Sequence, residues 1–342
     1  MSKRLTQRDI ARIAGVSQAT VSLVLNGAPS ARGRIPEETR ERVNKAIRDT
    51  GYVADPVARR MVRGRNNILG VFTYEPAFPS AQADFFTPFL LGIEEEAQRL
   101  GYDLLLLTAG SGGPHKKIFH ESNRLRLADG CLVLGREFDR DELARLVAGD
   151  FPFVAIGRRD DAGGPVPYVG ADYVAATAAL VALARARGHE RLGYVGPGSG
   201  PEATADRWRG FSGALDGATL AAHVPADAQD PVETLDTINT SGATAVFFTE
   251  LADAVLVERA AEARGLSIPR DFSIVVLGSH LRPSHTGTVF TSYAIPREEM
   301  GRRATSMLAG LLEGTPGERQ VLLQCEPVEG QTLGHNENKD RS

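Results

Sequence analysis

The sequence predicts an α/β protein: a small, basic, all-helical head followed by two lobes, each with a doubly wound parallel sheet. Three observations carry that prediction. Periodic apolar positions framed by helix caps run through residue 51; from Asn67 onward short apolar strands alternate with helices in two successive series; and charge divides sharply between these regions. Residues 1–65 hold 14 Lys and Arg against 6 Asp and Glu, while the remainder holds 25 against 37, so a net charge of −4 conceals a basic head on an acidic body. A folded basic module is the electrostatic footprint of a phosphate-bearing partner. With 342 residues, 42% of them hydrophobic, the chain is long enough for two or three domains with cores of their own.

In the head, Thr6 is followed three residues later by Asp9, an N-cap with an acidic residue in the first turn, and Ile10, Ile13 and Ala14 form an apolar face. The spacing predicts a helix over 7–14 ended by Gly15, then a second over 18–26 capped by Ser17, with Val21, Val24 and Leu25 inward. Two helices joined by so short a turn form a helix-turn-helix, whose second helix is free to enter a DNA major groove. Its outward residues are Gln18, Ala19, Thr20, Ser22 and Asn26. Amides and hydroxyls of this kind contact phosphates or base edges, and a methyl such as that of Ala19 can touch thymine. A third helix starts at Pro36, with Val43, Ala46 and Ile47 on one face and Gly51 at its end. The following stretch, YVADPVARRMVRGRNN, carries four arginines and is too short to be a stable helix alone in water.

The body reads as strand ILGVF at 68–72, a helix over 87–100, YDLLLL, a helix near 115–127, GCLVLG, a helix at 140–149 and FVAIG. A second series follows Tyr168: a helix at 172–187, LGYVG, a helix at 205–216, a short strand over 221–224, a helix near 231–240, AVFFT, a helix at 252–264 and SIVVLG. Near-continuous apolar strands are what a sheet covered on both faces requires. Paired lobes of this type take a small ligand in the cleft at the carboxyl ends of their strands. Polar or aromatic residues just beyond strands are therefore cleft candidates: Phe85, Phe86, Arg136, Arg158, Arg159, Glu250, Ser279 and His280.

Other chemistries find little support. Cys131 and Cys325 lie in apolar runs and read as buried thiols rather than a disulfide framework or metal cluster. The seven histidines show no metal-ligand spacing, the loop GPGSGP lacks the Lys and Ser/Thr of a phosphate loop, and no Gly-x-Ser-x-Gly elbow occurs. No cofactor, metal or catalytic activity is expected. The start MSKRLTQRDIA lacks the apolar segment of a secretory signal and no run is long enough to span a membrane, so a cytoplasmic protein without a membrane partner is expected.

The stretches LTQRDIARIAGVSQATVSLVLNG, TRERVNKAIRDTGY and PVARRM, followed in order by ILGVF, DFFTPFLLGIEEEAQRLGYDLLLL, DGCLVLG, RGHERLGYVGP, RWRGFSGAL and ARGLSIPRDFSIVVLG, resemble the lactose-repressor (LacI/GalR) family of bacterial transcription regulators over residues 5–335. The resemblance implies a headpiece at 1–54, a hinge at 55–66 that folds in the minor groove, and a two-lobed periplasmic-binding-protein-like domain at 67–335. Within that domain the first lobe comprises about 67–170 and 296–323 and the second about 171–295 and 324–335, with a disordered tail at 336–342. The DNA-binding set it implies is Thr6, Ser17, Gln18, Ala19, Thr20, Ser22, Asn26, Thr39, Tyr52, Asp55, Ala58 and Met61, where Met61 replaces the family's usual leucine wedge. Leu23 stands where some members have arginine, which removes a guanine contact.

For the cleft, the resemblance assigns Arg207 as the main effector-binding arginine and Phe86 as an aromatic that stacks on planar effectors. The Asn-Asp and Gly-Phe-Asp-Asp of sugar-sensing relatives are replaced by Thr249-Glu250 and Val276-Leu277-Gly278-Ser279, and a common aspartate by Gly157. Loss of these acceptors favours a ligand with a carboxylate, phosphate or planar ring over a neutral hexose, within a class spanning sugars, nucleosides and anionic or aromatic metabolites. The implied function is a homodimeric repressor of operator DNA controlled by a small-molecule effector. A metabolic enzyme, a solute-binding protein and an effector-independent regulator are the competing readings. Dimer contacts are expected on the helix at 87–100 and the segment 296–314, whose apolar stripe suits a core equally well.

Replacing Met61 with Gly is expected to weaken binding to the specific operator much more than binding to random duplex, as mobility-shift titrations would show; equal loss on both would remove the wedge role.

Overall fold

The computed structural model describes residues 5–26, 35–52, 65–75, 83–108, 117–120, 124–225, 230–278 and 287–336. Two compact units divide the chain, Met1–Ile68 and Leu69–Ser342, with the break at the start of the first strand.

Among its described residues the head has three helices: α1 (Gln7–Ala14), α2 (Gln18–Asn26) and α3 (Glu37–Thr50). The Asp9 carboxylate accepts from the Thr6 amide at 2.9 Å and the Thr6 hydroxyl at 2.7 Å, fixing the start of α1. Gly15 ends it at φ +65°, a left-handed conformation that costs glycine little, and Val16 then donates to the Ala11 carbonyl at 3.0 Å. Ser17 caps α2 by accepting the Thr20 amide at 3.1 Å. The core consists of Ile10, Ala11, Ala14, Val21, Val43, Ala46 and Tyr52. Ile13, expected on that face, is 51% exposed. At 100° per residue the inward direction of α1 falls between Ile10 and Ala11, which swings Ile13 outward.

In the body, β1 (Ile68–Thr73), β2 (Asp103–Leu107), β3 (Gly130–Leu134), β4 (Phe153–Ile156), β5 (Tyr168–Ala171) and the late strand β11 (Gln320–Leu323) form one sheet in the order β11-β5-β4-β3-β1-β2. A second sheet, ordered β7-β6-β8-β9, holds β6 (Arg191–Val195), β7 (Thr219–Val224), β8 (Ala245–Phe248) and β9 (Ser273–Val276). The paired strands β1/β3, β3/β4, β4/β5 and β5/β11 run parallel, as do β6/β7, β6/β8 and β8/β9. β10 (Ser292–Ala294) pairs antiparallel with β12 (Glu326–Val328) beside the second sheet.

Alternate residues supply opposite faces. Leu132, Leu134, Val154 and Ile156 enter one cluster while Cys131, Val133, Phe153 and Ala155 enter another. In the second sheet Ala245 and Phe247 face one way and Val246 and Phe248 the other. Both faces are apolar, which is why these strands read as continuous runs.

Helix α4 (Ala83–Leu100) begins four residues before the expected Thr87 and carries Pro88 inside it. It packs against the last long helix, α10 (Arg297–Glu313), so the stripe at 296–314 serves the core of the first lobe: Met300, Ala304 and Leu308 are buried there. The approach is close enough to require glycine. A Cβ on Gly92 would lie 1.9 Å from the Glu298 carbonyl oxygen, and one on Gly301 would lie 2.3 Å from that of Phe89.

The helix expected near 115–127 is absent where the chain is described; a turn occupies 117–120 and a single 3-10 turn Leu125–Leu127. Glu142, on α5 (Arg140–Ala148), accepts the amides of Ile118 at 3.1 Å and Phe119 at 3.3 Å, so amides that would propagate a helix bond to a side chain instead. Cys131 is buried and Cys325 half-buried, both free thiols. Among the described residues no helix is long and apolar enough to cross a membrane, and no group of three His, Cys, Asp or Glu could hold a metal ion.

His189, 2% exposed, has Nδ1 3.0 Å from the Thr244 hydroxyl and Nε2 3.1 Å from the Gly334 carbonyl oxygen. Burial holds it below the ordinary imidazole value of 6.5. The unfolded chain therefore takes up this proton first, so the contribution is complete above pH 6.5 and declines as pH falls toward the lowered folded value. Urea titrations at pH 7.5 and 5.5 are expected to show a smaller acid loss of stability in His189→Gln than in the wild type.

Candidate functional site

In the head, the sequence leaves α2 with a polar outer surface. Gln18 and Ala19 are exposed, Thr20 and Ser22 are half-buried, and Leu23 is 39% exposed. Several expected contact residues already have structural partners. The hydroxyls of Thr6 and Ser17 serve as caps, Thr20 Oγ1 lies 2.9 Å from Ser17 Oγ, and Arg8 Nε donates to Gln18 Oε1 at 3.3 Å. Tyr52, expected at the DNA, is 9% exposed and packs in the head's core, because its amide bonds back to Ile47 and folds the chain beneath α3. Thr39 is half-buried in the first turn of α3. Asp55, Ala58, Met61, Ser279 and His280 lie outside the described residues, as does the side chain of Asn26.

In the body, the carboxyl ends of the two sheets bring together α6 (Tyr173–Ala186), which follows β5, and α7 (Glu202–Gly213), which follows β6. Helix α7 starts at Glu202 rather than the expected 205, which places Glu202 and Asp206 one turn apart. Both face the loop after β4. Arg158 donates to Asp206 through Nε at 2.6 Å and Nη2 at 2.9 Å, and through Nη1 to Asp160 at 2.6 Å. Arg159, 4% exposed, reaches Glu202 at 3.2 Å and the Gly135 carbonyl at 2.8 Å, with its guanidinium 3.9 Å from the Phe138 ring centre. Burial lowers the Arg159 pKa, with Glu202 opposing. Arg158 and Arg159, expected as ligand contacts, thus tie the β4 loop of one lobe to the first turns of α7 in the other. Sequence reasoning missed their acidic partners, because the helix expected at 205–216 left Glu202 outside it and hid the i,i+4 spacing of Glu202 and Asp206.

Arg207 is positioned differently. Its Nε donates to the Leu277 carbonyl at 2.8 Å and Nη1 to the Ala203 carbonyl at 3.0 Å, while its guanidinium lies 4.1 Å from the centre of the Tyr173 ring. Tyr293, 1% exposed, packs beside Tyr173 with ring centres 6.3 Å apart, and burial pushes its phenol up to about 12. Arg136 lies over the Phe85 ring at 4.8 Å, and Arg297, the first residue of α10, at 5.9 Å from the same ring. Phe86 is 2% exposed, set edge-on to Phe85 at 4.9 Å and packed with Phe89 and Ile93 in the core. Its ring therefore offers no face for stacking, contrary to expectation; beginning α4 at Ala83 turns it inward. Glu250 is exposed at the cap of α9 (Leu251–Ala263), which follows α8 (Pro231–Ser241) in the chain. Tyr173 and Arg297 were not singled out from sequence. Tyr173 follows a strand end, a position that the rule applied to the other candidates covers; Arg297 was hidden in a segment read for its apolar stripe.

A helix-turn-helix head joined to a two-lobed ligand-binding body defines a DNA-binding transcriptional regulator with an effector domain. Residues 6–55 match the family described as bacterial regulatory proteins, lacI family, and residues 181–333 match the periplasmic binding protein-like domain. The chain is 31% identical over 331 residues to the HTH-type transcriptional regulator GntR of Pseudomonas aeruginosa, covering 91% of this chain and 90% of that protein. It is 26% identical to the HTH-type transcriptional repressor CytR of Escherichia coli, over 94% of each. The fold matches the lac repressor dimer bound to operator and an anti-inducer with a TM-score of 0.77 at 20% identity, covering 97% of this chain and 100% of that one. The chain belongs to the LacI family of bacterial regulatory proteins.

Asp206→Ala is expected to cost about 2–3 kcal/mol in urea unfolding, toward the low end for breaking a buried pair because Arg158 retains Asp160 and some solvent.

Proposed function

We propose that this protein is a cytoplasmic transcriptional repressor that binds a near-palindromic operator as a homodimer and is controlled by a small metabolite held between its lobes. The observation that carries the reading is the capped helix-turn-helix, whose α2 leaves the Gln18 and Ala19 side chains exposed on a strongly basic unit. A twofold protein calls for twofold DNA. Gln18, Ala19, Thr20, Ser22 and Asn26 read the major groove, Thr6, Ser17 and Thr39 meet phosphates, and Asp55, Ala58 and Met61 belong to the hinge that enters the minor groove.

The effector acts through the lobes. Arg158 and Arg159 already join them through Asp206 and Glu202, so ligand stabilises one relative arrangement against another by contacts at Arg207 and its surroundings. Such coupling is a difference in ligand affinity between two states. Its consequence is that the hinges of two protomers either pair and fold on DNA or do not.

Selection from random oligonucleotides, with and without cell extract, tests the reading. The expected product is an inverted repeat bound with log K falling steeply with log salt, at a slope of about −0.9 per phosphate contacted. Recovery of no preferred sequence would overturn it.

A further inference from the structure

Helix α2 commits Val21, Val24 and Leu25 to the head's core, with Val21 fully buried. At 3.6 residues per turn, the direction opposite those three falls between Ala19 and Leu23, which stand one turn apart and about 40° from each other around the helix. Both are exposed, Leu23 at 39%. The middle of the outward face of α2 is therefore an apolar row. By the same periodicity Ser22 and Gln18 flank it on one side and Thr20 on the other, and Gln18 Oε1 accepts from Arg8 Nε at 3.3 Å.

A single exposed leucine is ordinary on a protein surface. Leu23 differs by its place. Among the described residues the large exposed apolar side chains of the head are Leu5, Ile13 and Leu23, and Leu23 is the one on the helix that the proposed function lays in the major groove. Residues 1–65 hold 14 Lys and Arg against 6 Asp and Glu, a surround that suits a polyanionic duplex rather than an apolar protein partner.

The groove floor is polar at a G·C pair, where guanine presents the N7 and O6 acceptors and cytosine an amino donor; a thymine adds a C5-methyl group. A leucine side chain neither donates nor accepts. Against a G·C edge it would displace water from polar groups and return no hydrogen bond, whereas against thymine it buries one apolar group on another. Its length also fits. Leu23 lies about 6 Å further along the helix axis than Ala19, and the N-terminal part of such a helix is the part nearest the bases, so the later position needs the longer side chain.

We infer that Leu23 is a base-reading residue, packing its side chain on the C5-methyl of a thymine in each operator half-site with the Ala19 methyl beside it. This assignment rests on the proposed function of the head as an operator-binding unit.

Operators recovered by selection with the full chain test it, with thymine replaced by deoxyuridine, which lacks only that methyl, at each half-site position in turn. At one position of each half-site the replacement is expected to weaken binding about fourfold, the worth of one buried methyl, and about fifteenfold when made in both half-sites together. Leu23→Ala changes an exposed side chain and leaves Val21, Val24 and Leu25 in the core. It is expected to bind the thymine and deoxyuridine duplexes equally at that position and to keep any deoxyuridine effect at others. Competition between the two duplexes at low salt, where phosphate contacts hold both, reads this ratio even for a weakly binding variant. No deoxyuridine effect at any position, or an effect of the same size at every position in Leu23→Ala and the wild type, would overturn the inference and leave the head as an operator-binding unit. Recovery of no preferred sequence would overturn the proposed function and the inference with it.

Discussion

Positive charge held where two lobes meet is the constraint around which the body of this protein is arranged. A guanidinium removed from water is costly unless something compensates it. Arg158 and Arg159 are compensated from within the chain by Asp206 and Glu202, and each pair crosses from the β4 loop to α7. The adjacent arginines are steadied by rings and carbonyls. The first arrangement spends charge on joining the lobes, and the second sets Arg136 and Arg297 against the Phe85 ring and Arg207 against Tyr173.

That division depends on rigid support. Two arginine-bearing segments of the first lobe, the β4 loop and the start of α10, are fixed by the sheet and by α4. Gly92 and Gly301 let α4 and α10 approach to backbone contact, so the first turn of α10, with Arg297, has little freedom to shift. In the second lobe, Trp208 stacks on His223 with ring centres 4.6 Å apart and meets Tyr194 edge-on at 5.0 Å, anchoring α7 next to Arg207. Small ligand-dependent displacements in such a packed site move whole elements rather than single side chains.

In the head, polar side chains serve two ends. The Thr6 hydroxyl donates to the Asp9 carboxylate, Ser17 accepts a helix amide and Gln18 accepts from Arg8, so part of the surface that faces outward is ordered before any partner arrives. Such pre-ordering lowers the entropy lost on binding. The basic charge of this unit attracts phosphate, and the acidic charge of the body repels it.

The sequence by itself determined the three head helices, their caps at Thr6, Ser17, Gly15 and Gly51, and the two sheets, because these are set by local periodicity and by strands apolar on both faces. It also marked Arg136 and Arg158 as positions just beyond strands, while Arg207 was legible only through the family resemblance. Only the tertiary structure decided which of them are already paired, because Asp206 and Arg158 are 48 residues apart and a long-range ion pair leaves no local pattern. For the same reason it alone buried Tyr52 and Phe86, turned Ile13 outward, bonded the described turn at 117–120 to Glu142 where a helix was expected, and set Arg297 against the Phe85 ring.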